Sequence, residues 1–245
     1  MGLQQMVTQL SSRTAGINIQ DLGKMDYSQA LALQQGLREQ RINDTISDTV
    51  LLVEHNPIYT IGKDPVAEES LVRSELPAPS IKVDRGGKIT YHGPGQLVAY
   101  FIFKMHLSEV GNFVDMIENL TVETVNDFGI DCYSRKDEKD NYGKYIRGAW
   151  CLQEKVHRKI AAQGLETKRA GLDEKTQQHY LVTMHGCALN VNTDLRYFKS
   201  INPCGFTYDV MTSMQEMAGK ECSMTQVKET FTQKIKAWIS DNKLV

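Results

Sequence analysis

The chain has 245 residues, 41% of them hydrophobic and 24% charged, with a net charge of −2. That size and balance fit a globular protein with a substantial core, and they lack the overall basic character of a nucleic-acid binder. Five cysteines, at 132, 151, 187, 204 and 222, include no C-x-x-C pair, which argues against a disulfide framework or a zinc site and for a reducing compartment. The longest apolar run, 97–103, is far too short to span a bilayer.

The first 20 residues carry no acid, one Arg and several Ser and Thr. That is either a ragged terminus or the remnant of a mitochondrial presequence. Residues 1–16 are therefore expected to be a flexible N-terminus and 17–245 a single domain, because no Gly/Ser/Pro-rich linker divides the rest. Residues 25–41 predict an amphipathic helix, with Asp26 and Gln29 at capping-box spacing. "TVLLVEH" (49–55) predicts a buried strand, and "NPIYTIG" a turn followed by a second extended stretch. Residues 80–93 predict strand, Gly turn and strand, and 96–105 an interior strand apolar on both faces. Residues 113–129 put Phe113, Met116, Ile117, Leu120, Thr124 and Phe128 on one helical face, with Gly129 as the stop. Residues 131–148 read as an exposed polar loop, and 149–164 as two strands around a charged hairpin. "KRAGLDEKTQQH" (168–179) reads as another polar loop, before the strand 180–192. A C-terminal helix has Val227, Phe231, Ile235, Trp238 and Ile239 on one stripe. The pattern is α+β: a mixed central β-sheet flanked by helices, without the regular alternation of a doubly wound fold.

Four segments stand out chemically. "RGGKITYHGPGQ" (85–96) sets four glycines beside a strand-like stretch. It matches neither phosphate-binding loop pattern. Its glycines serve either a hairpin or a close approach to a ligand, with Arg85 and His92 as polar contacts. In "INPCGF" (201–206) Cys204 sits on a turn, where a purely structural thiol is less common. "RKIAAQG" (158–164) sets Lys159 before small residues, and "HGCALN" (185–190) opens a strand with His-Gly. Taken singly, Lys159 reads as an ordinary surface lysine and the histidine as a structural one.

In this order the four resemble the octanoyltransferases of lipoate biosynthesis, a branch of the biotin/lipoyl protein ligase superfamily. "LLVEHNPIYTIGK", "RGGKITYHGPGQLVAYFIF", "RKIAAQG" and "HGCALNVNTDLRYFKSINPCGF" carry the resemblance, which runs from about residue 17 to the C-terminal helix. It implies a biotin/lipoyl ligase-like catalytic domain that moves an octanoyl or lipoyl group from acyl carrier protein. The acceptor is a lysine of a lipoyl domain, in 2-oxoacid dehydrogenases or the glycine cleavage H protein. No metal or cofactor is implied. By position Cys204 matches the acyl-carrying cysteine and Lys159 its paired lysine. Arg85, Gly86, Gly87, Lys88, Ile89, Thr90, Tyr91 and His92 match one acyl-binding wall. Ala162, Gln163 and Gly164, with Gly186, Cys187 and Ala188, match the others.

A free thiol is only a few per cent ionised at neutral pH, and a nearby ammonium raises that fraction. Backbone N–H groups near "HGCAL" would form an oxyanion hole. Gln163 and Cys187 depart from the aliphatic residues usual there, which bears on chain length. Loops 134–147 and 166–179 look longer than in compact bacterial members, which with the N-terminus favours a mitochondrial protein, or a cytoplasmic one if bacterial. "EKVHRK" (154–159) and Lys168–Arg169 form either a basic docking rim or solvated loops. The rivals are an ATP-dependent ligase, which needs no acyl-carrying cysteine, an amidotransferase between lipoyl domains, and a silent lipoyl-domain binder.

Overall fold

The computed structural model describes residues 16–64, 72, 75–140, 143–203 and 206–241. Strands β1 (Asn18–Lys24), β2 (Thr49–Glu54), β6 (Gln96–Ile102), β7 (Lys104–His106), β8 (Cys132–Ser134), β9 (Ala149–Gln153), β10 (Val156–Asp173) and β11 (Gln178–Asn190) form one sheet. Its order is β1-β2-β6-β11-β10-β9-β8, with β7 also paired to β11. Only β1–β2 is parallel there. A second sheet, β4 (Ser80–Lys82), β3 (Ile58–Ile61) and β5 (Ile89–His92), has one parallel and one antiparallel pair. The expected mixed-sheet α+β architecture is what forms.

Helices cover the large sheet on both faces. On one side lie α2 (Val110–Asn126) and α4 (Met224–Asp241), packed on Ala99, Phe101, Cys187 and Leu189. On the other lies α1 (Tyr27–Ile42), over Val98, Tyr100 and Ala188. Hence β6 is buried along its whole length, as its unbroken apolar run requires. Each large apolar side chain buried there contributes roughly 1.5–3 kcal/mol. The expected stripes hold: Phe113, Met116, Ile117 and Leu120 are buried, as are Val227, Phe231 and Ile235. A short α3 (Met214–Ala218), capped by Ser213, connects to α4.

Several expectations need correction. Asp26 is the α1 N-cap, but its side chain makes no capping bond; Asn56 donates to it instead. The polar 168–179 segment is not a loop. It is the outer part of a long β10–β11 hairpin, paired as far as Asp173–Gln178. Polar residues on both faces hid it, because those arms project beyond the core. Asp173 fastens the turn by accepting from the backbone N–H of Lys175 and from the Tyr180 hydroxyl. The 131–148 loop holds β8, paired to β9. The predicted 96–105 strand breaks at Phe103 into β6 and β7, and β1, an edge strand with no buried residue, was not predicted.

Glycine matters most where backbones touch. A Cβ on Gly186 would lie 2.1 Å from the Ala99 carbonyl oxygen and 2.8 Å from Phe101 Cδ2. Backbone cannot yield there, so Gly186→Ala should cost about 1–3 kcal/mol, lowering Tm by roughly 2–12 °C. Gly36, in the middle of α1, has nothing within 4 Å of such a Cβ, so Gly36→Ala should hold or raise Tm. Thermal unfolding of both variants checks the contrast.

Candidate active site

The small sheet sits beside the large one where glycines allow contact. Gly86 N–H donates to Leu165 O at 3.1 Å, and a Cβ on Gly164 would meet Gly86 O at 2.9 Å. These glycines thus join the turn before β5 to β10, and the join leaves a narrow cavity between the sheets and α1. Its walls include Arg85, Gly87, Lys88, Ile89, Thr90 and His92 from the 85–92 segment. Ala162, Gln163, Gly164, Gly186, Cys187 and Ala188 supply the floor from β10 and β11. The small size of Ala162, Gly164, Gly186 and Ala188 keeps it open. Fourteen residues carried the expectation; among the wall residues, Gly86 and Tyr91 do not line this cavity. Tyr91 points the other way, stacked on Tyr197 at 4.5 Å and packed near Tyr59 and Phe198. Period-two alternation in β5 explains this, since Thr90 and His92 take the cavity face.

The same alternation resolves the two unusual residues. Cys187 packs in the α2-side core, where Thr121 Oγ1 donates to its Sγ at 3.6 Å. Burial pushes its thiol up to about 11, which suits a structural thiol. The Gln163 amide likewise turns to α2 and donates to Glu118 Oε2 at 2.8 Å. Both residues offer the cavity backbone rather than side chain.

Lys159 is 4% exposed, contrary to its reading as a surface lysine. The cause is a bulge: the β9–β10 register shifts between Lys159 and Ala161. Ile160 and Ala161 both enter the α2-side core, which leaves Lys159 and Ala162 on the opposite face. Bulges commonly re-aim a side chain in this way. The Lys159 ammonium lies 5.4 Å from the Trp150 ring centroid and 5.9 Å from that of Phe206, contacts that favour a buried cation. Gly148, at φ +97°, packs under it; a Cβ there would lie 2.9 Å from Lys159 Cε. Buried Glu118 holds that turn by accepting from Gly148 N–H at 2.8 Å. Cys204 lies outside the described residues. Pro203 and Phe206, on either side of it, are described.

A hydrogen-bonded spine ties the 85–92 wall to Lys159. Arg85 donates to the Thr60 carbonyl and hydroxyl, both at 2.8 Å. Thr60 Oγ1 faces His92 Nε2 at 3.4 Å, and His92 Nδ1 faces Gln96 Oε1 at 2.8 Å. Gln96 spends its amide donors on Tyr91 O and Asn190 Oδ1. Its oxygen therefore accepts, which assigns the His92 proton to Nδ1. Asn190 then donates to Thr212 O, and Thr212 N–H to Lys159 O, both at 3.0 Å. Burial above all, helped by the charge of neighbouring His55, lowers His92 to about 3. It is a neutral link in this spine.

Tyr27, Val98, Tyr100 and His185 also line the cavity and were not predicted. Tyr27 stacks on His92 at 5.8 Å, and Tyr100 donates to His55 Nε2 at 2.7 Å while His55 Nδ1–H donates to Met25 O at 2.8 Å. Two residues of the basic segments have partners within the chain: Lys168 pairs with Glu39 at 2.7 Å, and Arg158 donates to Asp209 O. Among the described residues no group of three or more His, Cys, Asp or Glu could hold a metal ion, and no helix is long and apolar enough to cross a membrane.

Comparison with known proteins shows the family of the chain. A model of the lipoyl protein ligase A/B catalytic domain matches residues 26–236. The chain belongs to the lipoyl protein ligase A/B catalytic domain family. It is 36% identical to the octanoyltransferase of Koribacter versatilis over 224 residues, 88% of this chain and 81% of that protein. It is 36% identical to the octanoyltransferase of Vibrio campbellii over 205 residues, 83% and 81% of the two chains. The solved structure of a lipoate-protein ligase A bound with ATP superposes with a TM-score of 0.61 at 13% identity, covering 92% of this chain and 84% of that one. A bi-partite lipoate protein ligase from Thermoplasma acidophilum gives 0.60 at 13% identity, covering 92% and 82%. At such identities the structures speak for the fold. The family match takes in both the 85–92 wall and Lys159.

Proposed function

We propose that this member of the lipoyl protein ligase A/B family transfers an octanoyl group from acyl carrier protein to the ε-amine of a lipoyl-domain lysine, through a thioester on Cys204. The observation that carries the reading is a narrow cavity floored by Ala162, Gly164, Gly186 and Ala188 that shares a strand with buried Lys159. The octanoyltransferase names of its relatives support the same chemistry. Cys204 stands two residues before Phe206, whose ring contacts the Lys159 ammonium. That closeness in sequence supports pairing of thiol and amine.

The steps balance without an external energy source. The Cys204 thiolate attacks the carrier thioester, the carbon–sulfur bond to the carrier breaks, and the carrier leaves as a thiol with the proton that the Lys159 ammonium gives up. The neutral acceptor amine then attacks the acyl-enzyme, Lys159 takes the one proton the nitrogen loses, the carbon–sulfur bond to Cys204 breaks, and Cys204 leaves as the thiolate. The cavity holds the chain, burying methylenes at about 0.8 kcal/mol each, and fixes the carbonyl where the two steps occur.

Intact-protein mass spectrometry tests this reading. Brief incubation with octanoyl-acyl carrier protein, without ATP, should add one octanoyl group to wild type and none to Cys204→Ser. Failure of wild type to gain mass, with transfer seen only when ATP and free octanoate are supplied, would establish a ligase instead.

A further inference from the structure

The end of the cavity away from Lys159 is built differently from its floor. His185 stands there, 2% exposed, at φ +65°. This is the left-handed region that favours glycine, and outliers of this kind gather at functional sites. The ladder is unbroken on either side, with Gly164 opposite Gly186 and Glu166 opposite Met184. The twist therefore serves one residue. Cys187 and Leu189 face α2, and alternation would send His185 the same way. Instead its ring faces the α1 side, 6.2 Å from Tyr100, with Nε2 3.7 Å from Glu166 Oε2.

Around it the polar atoms go unsatisfied. Both His185 ring nitrogens, Gln34 Nε2, and Arg38 Nε and Nη1 are buried without a hydrogen-bond partner among the described residues. They are five of the eight such side-chain atoms there, so the clustering is local and not a general looseness. Gln34 Oε1 accepts from His185 N–H at 3.0 Å. Its Nε2 lies towards the Tyr100 hydroxyl outside hydrogen-bond geometry. Arg38 Nη1 is 3.0 Å from Glu166 Oε1, an ion pair of poor angle. Buried polar groups in such a cluster retain water.

We propose that the acyl cavity ends in a water-holding chamber formed by His185, Gln34 and Arg38, and that this chamber sets the upper limit of acyl-chain length. The inference rests on the octanoyl-transfer reading above. Along β10 the floor runs from Ala162 to Leu165 opposite His185, three residues or about 10 Å. Seven carbon–carbon bonds in zigzag span roughly 9 Å. An octanoyl chain whose carbonyl lies at the Ala162 end thus covers the small-residue floor and stops just short of His185, and two further methylenes, about 2.5 Å, bring a decanoyl chain to it. Further methylenes would displace bound water without replacing its hydrogen bonds. A chain ending in a hydroxyl would replace them.

The test compares octanoyl, decanoyl and 10-hydroxydecanoyl groups on acyl carrier protein as donors for the wild-type enzyme. Transfer of 10-hydroxydecanoyl should exceed that of decanoyl at least tenfold. His185→Leu and, independently, Arg38→Met should each raise the decanoyl-to-octanoyl ratio at least fivefold and shrink the hydroxyl preference. Octanoyl transfer by wild type with equal use of the two ten-carbon donors overturns the chamber and leaves the transferase intact. Unchanged ratios in both variants do the same. No octanoyl transfer by wild type removes both.

Discussion

Lys159→Met should slow octanoyl transfer by about 10²–10⁴-fold, the usual effect of losing a positioned acid–base group, while Tm stays close to wild type. Methionine keeps the length and apolar character of the lysine stem, which packs on Trp150, Phe206 and Gly148. It also removes the desolvation cost of a buried ammonium, and a cysteine left without its cation avoids a stranded charge by keeping its proton. A purely structural lysine would give the opposite pair of results, activity following Tm. Lys159→Arg sharpens the distinction. Arginine retains the cation and the ring contacts but stays protonated, so it cannot take a proton from the attacking amine. Arginine should therefore restore little of the rate. Recovery to within a few-fold of wild type would mean that Lys159 supplies charge alone, and proton transfer would have to be sought elsewhere.

That lysine also marks the boundary of what sequence alone conveys. The buried strands β2 and β6 and the helical stripes of α2 and α4 are legible because one physical rule, burial of apolar surface, governs each of them. The glycines of 85–96 are legible as close-approach positions, although they meet Leu165 O and Gly164 rather than only a ligand. Lys159 as a buried residue is not legible, because its burial follows from a one-residue bulge against β9 that has no local signature. Nor is the inner stripe of α1. Tyr27, Ala30, Gln34, Arg38 and Arg41 are its buried residues, so three long polar side chains occupy the face that periodicity reserves for apolar ones. Gln34 and Arg38 turn in at the polar cavity end, beside His185 and Glu166, and Arg41 turns in to pair with Asp44 and Asp48. The facing of Gln163 and Cys187 was available from strand alternation once the register was known, and the register is set by pairing across more than twenty residues.

Acid should destabilise the protein well before its carboxylates titrate. Burial lowers His185 to about 4, with the nearby charges of Arg85 and Arg38 adding to it, and lowers His92 to about 3. Burial lowers His55 too. Glu166 lies near His185 but is itself paired with Arg38, so it does little to hold a proton on the imidazole. In the unfolded chain these histidines titrate near 6.5. Between that value and the folded ones, the unfolded state binds protons that the native state excludes. Stability is therefore complete above about pH 6.5, falls as pH drops, and goes on falling until the folded values are reached. At pH 5 the loss is about 2 kcal/mol each for His92 and His185, at 1.36 kcal/mol per pH unit. That is a large fraction of the 5–15 kcal/mol typical of a whole protein. Tm should drop by roughly 8–16 °C between pH 7 and pH 5, a range in which ordinary carboxylates contribute little. The His92→Gln, His185→Gln double variant, with no imidazole at either position, should lose most of that drop even though its Tm at pH 7 is lower. A wild-type Tm equal at pH 7 and pH 5 would mean that both rings accept protons in the folded state. The neutral spine from Arg85 through His92 to Lys159 would then be wrongly drawn.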